Sequence, residues 1–505
     1  MTPARRAALV GAAAVVAGAL TLNRHLVGIF YDDGLYAGLA WALGHGLGYA
    51  HPNLPGAPAA VHYPPLYPLL LAPCFAVWGV PTAALVARGL NVAAAALAAG
   101  LVAWHSERAL LLGPGAPRWL APAVVAGAAV AIPWLTVLTV LLSEPLFALL
   151  VALAVVSADR PPRGLAPSVA AGLAGALAAA ALLARSLGVA AGVGVVVAVY
   201  RRARGEGPRA AWGRTAWAAL PLALAGGWWG AWVLAHRSGI DPLLASDYGS
   251  YFALLGGAGA RALGGTTLDL GRPLGVLTLN WVPSRAIYYA LGVPALVVGG
   301  YGLCRLCKTS AIGWTLVTYL AILACWPVPP DRFLWAVLPW LGLAWCAGAV
   351  GLWSRRSLRV PLALVASSLV LGYARYELRG FAGRWWDRTP ADVSAQFAAL
   401  LPALDSLPPD AVIATEREPL VWLYTRRRAV PFYVYALHGR AVLEPPPAVH
   451  RAYLEREGVT HLVADPPGGR ASEELDRLRT AYPGWLVLER RWPDGRALYA
   501  VARDR

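Results

Sequence analysis

Acidic residues are scarce through most of the chain. The first 374 of its 505 residues hold ten: Asp32, Asp33, Glu107, Glu144, Asp159, Glu206, Asp241, Asp247, Asp269 and Asp331. Charged residues of both signs make up 14% of the sequence, against roughly 25% in an ordinary soluble domain. Such a composition excludes a water-soluble globular surface over that stretch. Lysine occurs once, at Lys308, so the formal net charge of +16 is carried by arginine. The arginines fall in short clusters between apolar stretches and form no continuous basic face, which sets nucleic-acid binding aside. Cysteine is sparse too, with five residues. Cys304 and Cys307 have the spacing of half a metal or redox motif, but no second pair and no nearby histidine completes it, and no disulfide framework is implied.

What is present is apolar: 58% of the residues are hydrophobic. Arg5 and Arg6 precede an apolar run to about Leu22 that resembles a signal peptide, yet so many apolar stretches follow that an uncleaved first helix is expected. A helix needs about 20 apolar residues to cross a bilayer. The runs predict eleven spans, at 8–28, 83–104, 119–138, 146–158, 165–183, 187–200, 212–235, 287–304, 309–327, 333–351 and 360–374. Beyond residue 374 the composition changes, because the last 131 residues hold the other seventeen acids. A domain boundary is expected there, between a membrane domain (1–374) and a C-terminal domain (375–505).

Sixteen basic residues sit on one set of short connections: Arg5, Arg6, Arg108, Arg118, Arg160, Arg163, Arg201, Arg202, Arg204, Arg209, Arg214, Arg305, Lys308, Arg355, Arg356 and Arg359. The other set carries eight, Arg24, Arg88, Arg185, Arg237, Arg261, Arg272, Arg285 and Arg332, partly on two much longer loops. The positive-inside rule makes the first set cytoplasmic. An odd number of spans then puts the C-terminal domain outside. Seven of the ten membrane-domain acids share that external side, and acids crowded at a membrane face point to a functional site.

The first external loop, 29–82, opens with Asp32 and Asp33. Residues 33–44 have apolar side chains at helical spacing, and 66–79 form an apolar run interrupted by Pro68 and Pro73. Both fit short helices lying at the interface, with the Pro- and Gly-rich stretch between them irregular. The C-terminal part reads as a small α/β domain with strands at 411–415, 428–432, 460–464, 485–490 and 497–502, the last two closed by a turn at Pro493-Asp494-Gly495.

The acidic pair after the first span, the sequence HYPPLYPLLL that ends the irregular loop, an external Ser143-Glu144-Pro145, Arg185 between two tight spans, and PDRFLWAVLP at 330–339 occur in this order. The ordered set resembles the GT-C class of membrane glycosyltransferases, and among them the protein O-mannosyltransferases and the bacterial enzymes that add sugars to lipid A. The resemblance covers roughly residues 1–375. It implies a polytopic α-helical GT-C fold and inverting transfer of a sugar from a polyprenyl-phosphate donor to an acceptor hydroxyl on a glycan, lipid or protein. By position it implies that Asp32 is the base, Asp33 a supporting acid, and Glu144 a residue that shapes the site. Tyr63-Pro64-Pro65 aligns with a motif that begins with lysine in the lipid A enzymes. Its phosphate role here falls to His62, Arg185 or Arg332.

The chemistry of the residues agrees. A hydroxyl nucleophile needs a carboxylate to take its proton, and a leaving phosphate needs cations to hold its charge. Simpler roles stand beside these. Asp32 can cap the helix beginning at Gly34, Glu144 can pair with a basic residue at a helix end, and Arg185 and Arg332 can snorkel to the interface. Asp331 can pair with Arg332. His45, His51 and His62 share the first loop with Asp33, which leaves a divalent metal open, although their spacing is no tight ligand motif. Tyr424 and Arg426–Arg428 are expected in a solvated turn. From another class, a transporter or lipid flippase is the alternative, and the crowding of acids on one face speaks against it.

Overall fold

The computed structural model describes residues 1–251, 285–326, 329–438 and 441–502, with the backbone alone at 285–291 and His438. The expected external residues Arg261, Asp269 and Arg272 lie outside the described residues. The chain opens with α1 (Pro3–Ala19), shorter than the span expected at 8–28. The chain stops being helical there because side chains take over its backbone groups. Asn23 donates to the carbonyls of Thr21 and Thr139, and Arg88 donates to those of Asn23 and His25.

Next come the two short helices expected in the first loop, α2 (Asp32–Gly44) and α3 (Leu66–Val77), and then α4 (Val80–Arg108). The span expected at 119–138 is two helices, α5 (Leu120–Ala129) and α6 (Ile132–Thr139), bent by 45°. Pro133 at the start of α6 has no N–H to continue the ladder. The free Ile132 N–H donates instead to Glu377, at 2.9 Å. The following helices α7 (Glu144–Asp159), α8 (Pro167–Ala184), α9 (Val189–Ala203) and α10 (Pro208–His236) fall where they were expected. Every buried residue of α8 is alanine or glycine. Small residues let helix backbones approach closely where no hydrophobic effect drives association.

Helices Arg285–Thr309, Ala311–Ala324, Leu338–Trp353 and Arg359–Ala382 complete this part, with a short turn of helix at Asp331–Trp335. The compositional change at 374 lies inside the last of them. By length and hydropathy, five helical runs among the described residues qualify as membrane spans, or six with the bent pair taken as one. The count of eleven is therefore not reached on that measure. Helices of 17, 16, 14 and 16 residues at 3–19, 144–159, 311–324 and 338–353 fall short of full bilayer length.

The basic connections do gather at one end. Arg6 pairs with Glu107, Arg160 donates to the Arg108 carbonyl, Arg202 to that of Asp159, and Arg201 to those of Cys307 and Lys308. Asp159 binds Ser310 and the Ala311 amide at the same end.

After helix Trp385–Asp405 a five-stranded sheet forms in the order β2-β1-β5-β7-β6. Its strands are β1 (Val412–Thr415), β2 (Arg428–Pro431), β5 (His461–Ala464), β6 (Leu486–Arg491) and β7 (Ala497–Val501), all five of them expected. β1 runs parallel to β2 and β5, while β7 is antiparallel to β5 and β6. An unexpected pair, β3 (Ala436–His438) and β4 (Ala441–Leu443), stands apart from the sheet. Helix Glu418–Thr425, between β1 and β2, packs on α2. Arg426 stacks over both Trp41 and Trp422, 4.5 and 4.6 Å from the ring centres. Tyr424 accepts from the Val27 amide, and Arg427 donates to Asp405 and to the Leu407 carbonyl. Of the solvated turn expected at 424–428, Tyr424 and Arg427 are thus partly packed, while Arg426 and Arg428 are exposed. One hydrophobic core runs from Leu35 and Leu39 through Tyr67 and Trp422 to Val430.

Candidate active site

The site begins with a strained turn. Tyr31 has φ 65° and ψ −68°, and the Asp32 amide donates to the Phe30 carbonyl at 2.7 Å. This is a γ-turn of the rarer, positive-φ kind. For a non-glycine residue such backbone persists only when its surroundings hold it, and such strain gathers at functional sites. The turn starts α2, and successive residues of a helix point about 100° apart. The two acids therefore part company.

Asp33 turns back into the loop. It is fully buried, and its two oxygens accept the amides of Gly28 (2.8 Å) and Phe30 (2.9 Å). Burial raises its pKa, and the two amides and the charge of Arg88 offset this only in part. Asp33 holds the shape of the turn and has no oxygen free for a substrate. Asp32 points the other way and keeps 24% of its side-chain surface accessible. One oxygen accepts from the Tyr63 hydroxyl at 2.7 Å, and the other meets Arg332 Nη1 at 2.6 Å. Burial would push this carboxyl up, but the Arg332 guanidinium and the Tyr63 hydroxyl outweigh it and hold the group below its ordinary range. Asp32 is therefore ionised.

Arg332 bridges two acids. Its Nε donates to Glu144 Oε1 at 2.7 Å while Nη1 holds Asp32. Its Nη2 is buried and meets no partner among the described residues. Glu144 is fully buried, and its second oxygen lies 2.9 Å from Arg185 Nη1. One N–H of that nitrogen is directed at Ser143 Oγ, 3.0 Å away, and Glu144 Oε2 accepts no hydrogen bond among the described residues, so its contact with Arg185 is an ion pair. Ser143 continues to the Tyr36 hydroxyl at 2.9 Å. The Arg185 guanidinium also lies over the Phe333 ring. Asp32, Arg332, Glu144 and Arg185 thus form one chain of alternating charge, drawn from four separate parts of the sequence.

Of the residues expected to bind substrate, Glu144, Arg185, Arg332 and Tyr63 converge here. His62 does not join them as a cation. Its Nδ1 pairs with the Gly249 carbonyl at 2.5 Å, its ring packs on Tyr63 and Tyr251, and burial pushes its pKa down. Nor do the histidines assemble a metal site with Asp33. His45 stacks on Trp41 and pairs with its carbonyl, and His51 is buried edge-on against Tyr248. Among the described residues no three metal-binding side chains gather. Asp331 sits beside Arg332 in sequence, yet the ion pairs of that arginine go to Asp32 and Glu144.

Several participants were missed. Tyr36 and Ser143 connect to Arg185, and Arg88 clamps the segment before the turn. None has a local signature, except that Ser143 lies in the Ser-Glu-Pro segment already singled out.

No family model and no curated protein matches the sequence. Among solved structures, the chain resembles ArnT from Cupriavidus metallidurans, solved bound to undecaprenyl phosphate, with 16% identity over 97% of both chains and a TM-score of 0.51. It also resembles the oligosaccharyltransferase of Archaeoglobus fulgidus, solved with zinc and sulfate, with 13% identity over 97% of this chain and 73% of that one and a TM-score of 0.52. These likenesses show the fold. It is the GT-C glycosyltransferase fold that the ordered residues implied.

Proposed function

We propose that the chain is a membrane glycosyltransferase that moves a sugar from a polyprenyl-phosphate donor to an acceptor hydroxyl, with inversion, on the extracytoplasmic face of the cell membrane. The C-terminal domain lies on that face as well. The observation that carries the proposal is the bridge made by Arg332. One guanidinium holds an ionised, accessible carboxylate, Asp32, and keeps a buried nitrogen, Nη2, without a partner among the described residues. ArnT, of the same fold, was solved with undecaprenyl phosphate, and a phosphate is the partner that such a guanidinium fits.

The chemistry follows from the geometry. The donor phosphate takes up Arg332 Nη2 and draws on the charge of Arg185, which stabilises the phosphate left when the glycosidic bond breaks. Drawing Arg332 towards phosphate also loosens its hold on Asp32, whose basicity then rises. Asp32 takes the proton of the acceptor hydroxyl as that oxygen attacks the anomeric carbon. Asp33 is occupied by two amides and Glu144 by two arginines. Within this network, Asp32 is the one carboxylate left free among the described residues, which supports direct displacement and hence inversion.

The test is transfer from a polyprenyl-phosphate sugar by the purified protein. Asp32→Asn keeps the shape of the side chain and removes the proton acceptor, so turnover should fall about 10²–10⁴-fold with polyprenyl-phosphate binding retained. Asp33→Asn should instead lower thermal stability, because an amide replaces one of two acceptors for buried N–H groups. If Asp32→Asn turns over normally, Asp32 is no base. Loss of the gene followed by sugar analysis of envelope glycolipids, glycans and glycoproteins names the sugar and the acceptor.

A further inference from the structure

The turn that presents Asp32 is held by residues almost four hundred positions away in sequence. Gly28, at φ +99°, lies against the backbone of Leu420, where an added Cβ would come within 2.8 Å of its Cα. Gly34 lies against Pro419 in the same way, at 2.8 Å. Beside this contact sits Glu418, the first residue of helix Glu418–Thr425 and fully buried. Its Oε1 accepts from the Tyr248 hydroxyl at 2.8 Å, and that hydroxyl accepts from Asn53 Nδ2 at 2.7 Å. The Tyr31 ring meets the Tyr248 ring edge-on at 6.1 Å. Glu418 Oε2 and the Tyr31 hydroxyl are buried without a hydrogen-bond partner among the described residues.

An ionised carboxylate in this place would be costly, because no cation pairs with it among the described residues. The groups that act on it are Tyr31 from the turn, Asp247 and Tyr248 from the segment after α10 and Tyr453 from the C-terminal domain, with His51 of the first loop packed on Tyr248. None of these is a cation at neutral pH. Burial, with the charge of Asp247 adding to it, pushes the Glu418 carboxyl up to about 8.

We infer that Glu418 is a positioning residue that works as a neutral acid, tying Asn53, Tyr248 and the Tyr31 turn to the C-terminal domain so that Asp32 faces the site. The inference takes from the proposed function only the role of Asp32. While Glu418 carries its proton, the Asn53–Tyr248–Glu418 chain stays buried and intact. When it loses the proton, an unpaired charge lies beneath the strained turn, and the turn loosens.

Amide hydrogen exchange on the purified full chain tests this. The readout is the segment 26–36, compared with α7 in the same sample to correct for pH and global stability. Glu418→Leu removes the acceptor of Tyr248 and should speed exchange of 26–36 about tenfold while α7 stays protected. Glu418→Gln keeps an acceptor and cannot ionise, so it should restore wild-type protection. Raising the pH through about 8 should loosen 26–36 in the wild type and leave it protected in Glu418→Gln. The inference is overturned if Glu418→Leu leaves 26–36 unchanged, if Glu418→Gln loosens it as much as leucine, or if the two proteins share one pH profile. Undecaprenyl-phosphate binding, measured on the same samples, keeps the two ideas apart. Its absence in the wild type would strike the proposed function, while the exchange pattern alone decides the role of Glu418.

Discussion

Arg332 and Arg185 carry the same charge within one network, yet their surroundings give them different work. Arg185 keeps 9% of its side-chain surface accessible and is held by Glu144, Ser143 and the face of Phe333. Arg332 keeps 29% and has a nitrogen to spare among the described residues. Arg332→Lys preserves the charge but replaces a planar fork with a single ammonium, which cannot serve Asp32, Glu144 and a phosphate at once. Polyprenyl-phosphate affinity should fall at least about tenfold, since each charge-assisted hydrogen bond is worth roughly 1.5–3 kcal/mol. Arg185→Lys should instead lower the melting temperature, because it leaves Glu144 buried and poorly paired. Binding by fluorescence quenching and unfolding in detergent measure the two outcomes. If affinity falls only with Arg185→Lys, the two roles are exchanged.

Among the elements, the turn from Gly28 to Gly34 shows how much was legible and what was not. The acidic pair, the helix after it and the irregular loop beyond were readable because composition and 3.6-residue spacing are local properties. Asp32, Arg185 and Arg332 could be picked out because polar residues at the ends of apolar runs are rare, while Tyr63 and Glu144 stood out through the resemblance of their segments to the GT-C pattern. The partner of the turn could not be read. Pro419 and Leu420 belong to a short apolar helix that looks like ordinary core of an α/β domain, and a contact across almost four hundred residues leaves no periodic trace. The bent span at 119–138 hid for a similar reason, because its break is satisfied by the distant Glu377. In the same way the spacing of His62 said nothing about the Gly249 carbonyl that takes its ring nitrogen. Gly28→Ala tests the contact at the scale of the element. The new methyl would lie 2.6 Å from Leu420 Cβ and 2.8 Å from its Cα, and alanine disfavours positive φ. Transfer should fall at least about tenfold. Leu420→Ala should not restore it, because the clash with the Leu420 backbone remains. Full activity in Gly28→Ala would show that the turn is positioned by other means.

For the whole molecule, the junction of the C-terminal sheet region with the first loop and the segment after α10 sets how stability responds to pH. Three carboxyls at this junction are pushed up by burial: Glu418 to about 8, Glu416 to about 7 and Asp247 to about 7. The charge of Asp247 contributes at both glutamates, so the three are not independent. Their unfolded values lie near 4. Between about pH 4 and 8 the folded chain therefore keeps protons that the unfolded chain has released, and stability falls as pH rises through that window. Above about 8 this contribution is flat. Asp32 acts in the opposite sense, since its pKa is lowered in the fold, and its stabilisation is lost only in acid, below about 4. The optimum should accordingly lie on the acid side of neutrality, near pH 5. A melting temperature measured in one detergent at pH 5, 6.5, 8 and 9 should drop by several degrees from the first to the third and change little from the third to the fourth. Glu418→Gln should remove part of that drop without altering its direction, because Glu416 and Asp247 still titrate. A melting temperature that rises between pH 5 and 8 would mean that these carboxyls are ionised in the folded protein, and the neutral junction that holds the Asp32 turn would have to be abandoned.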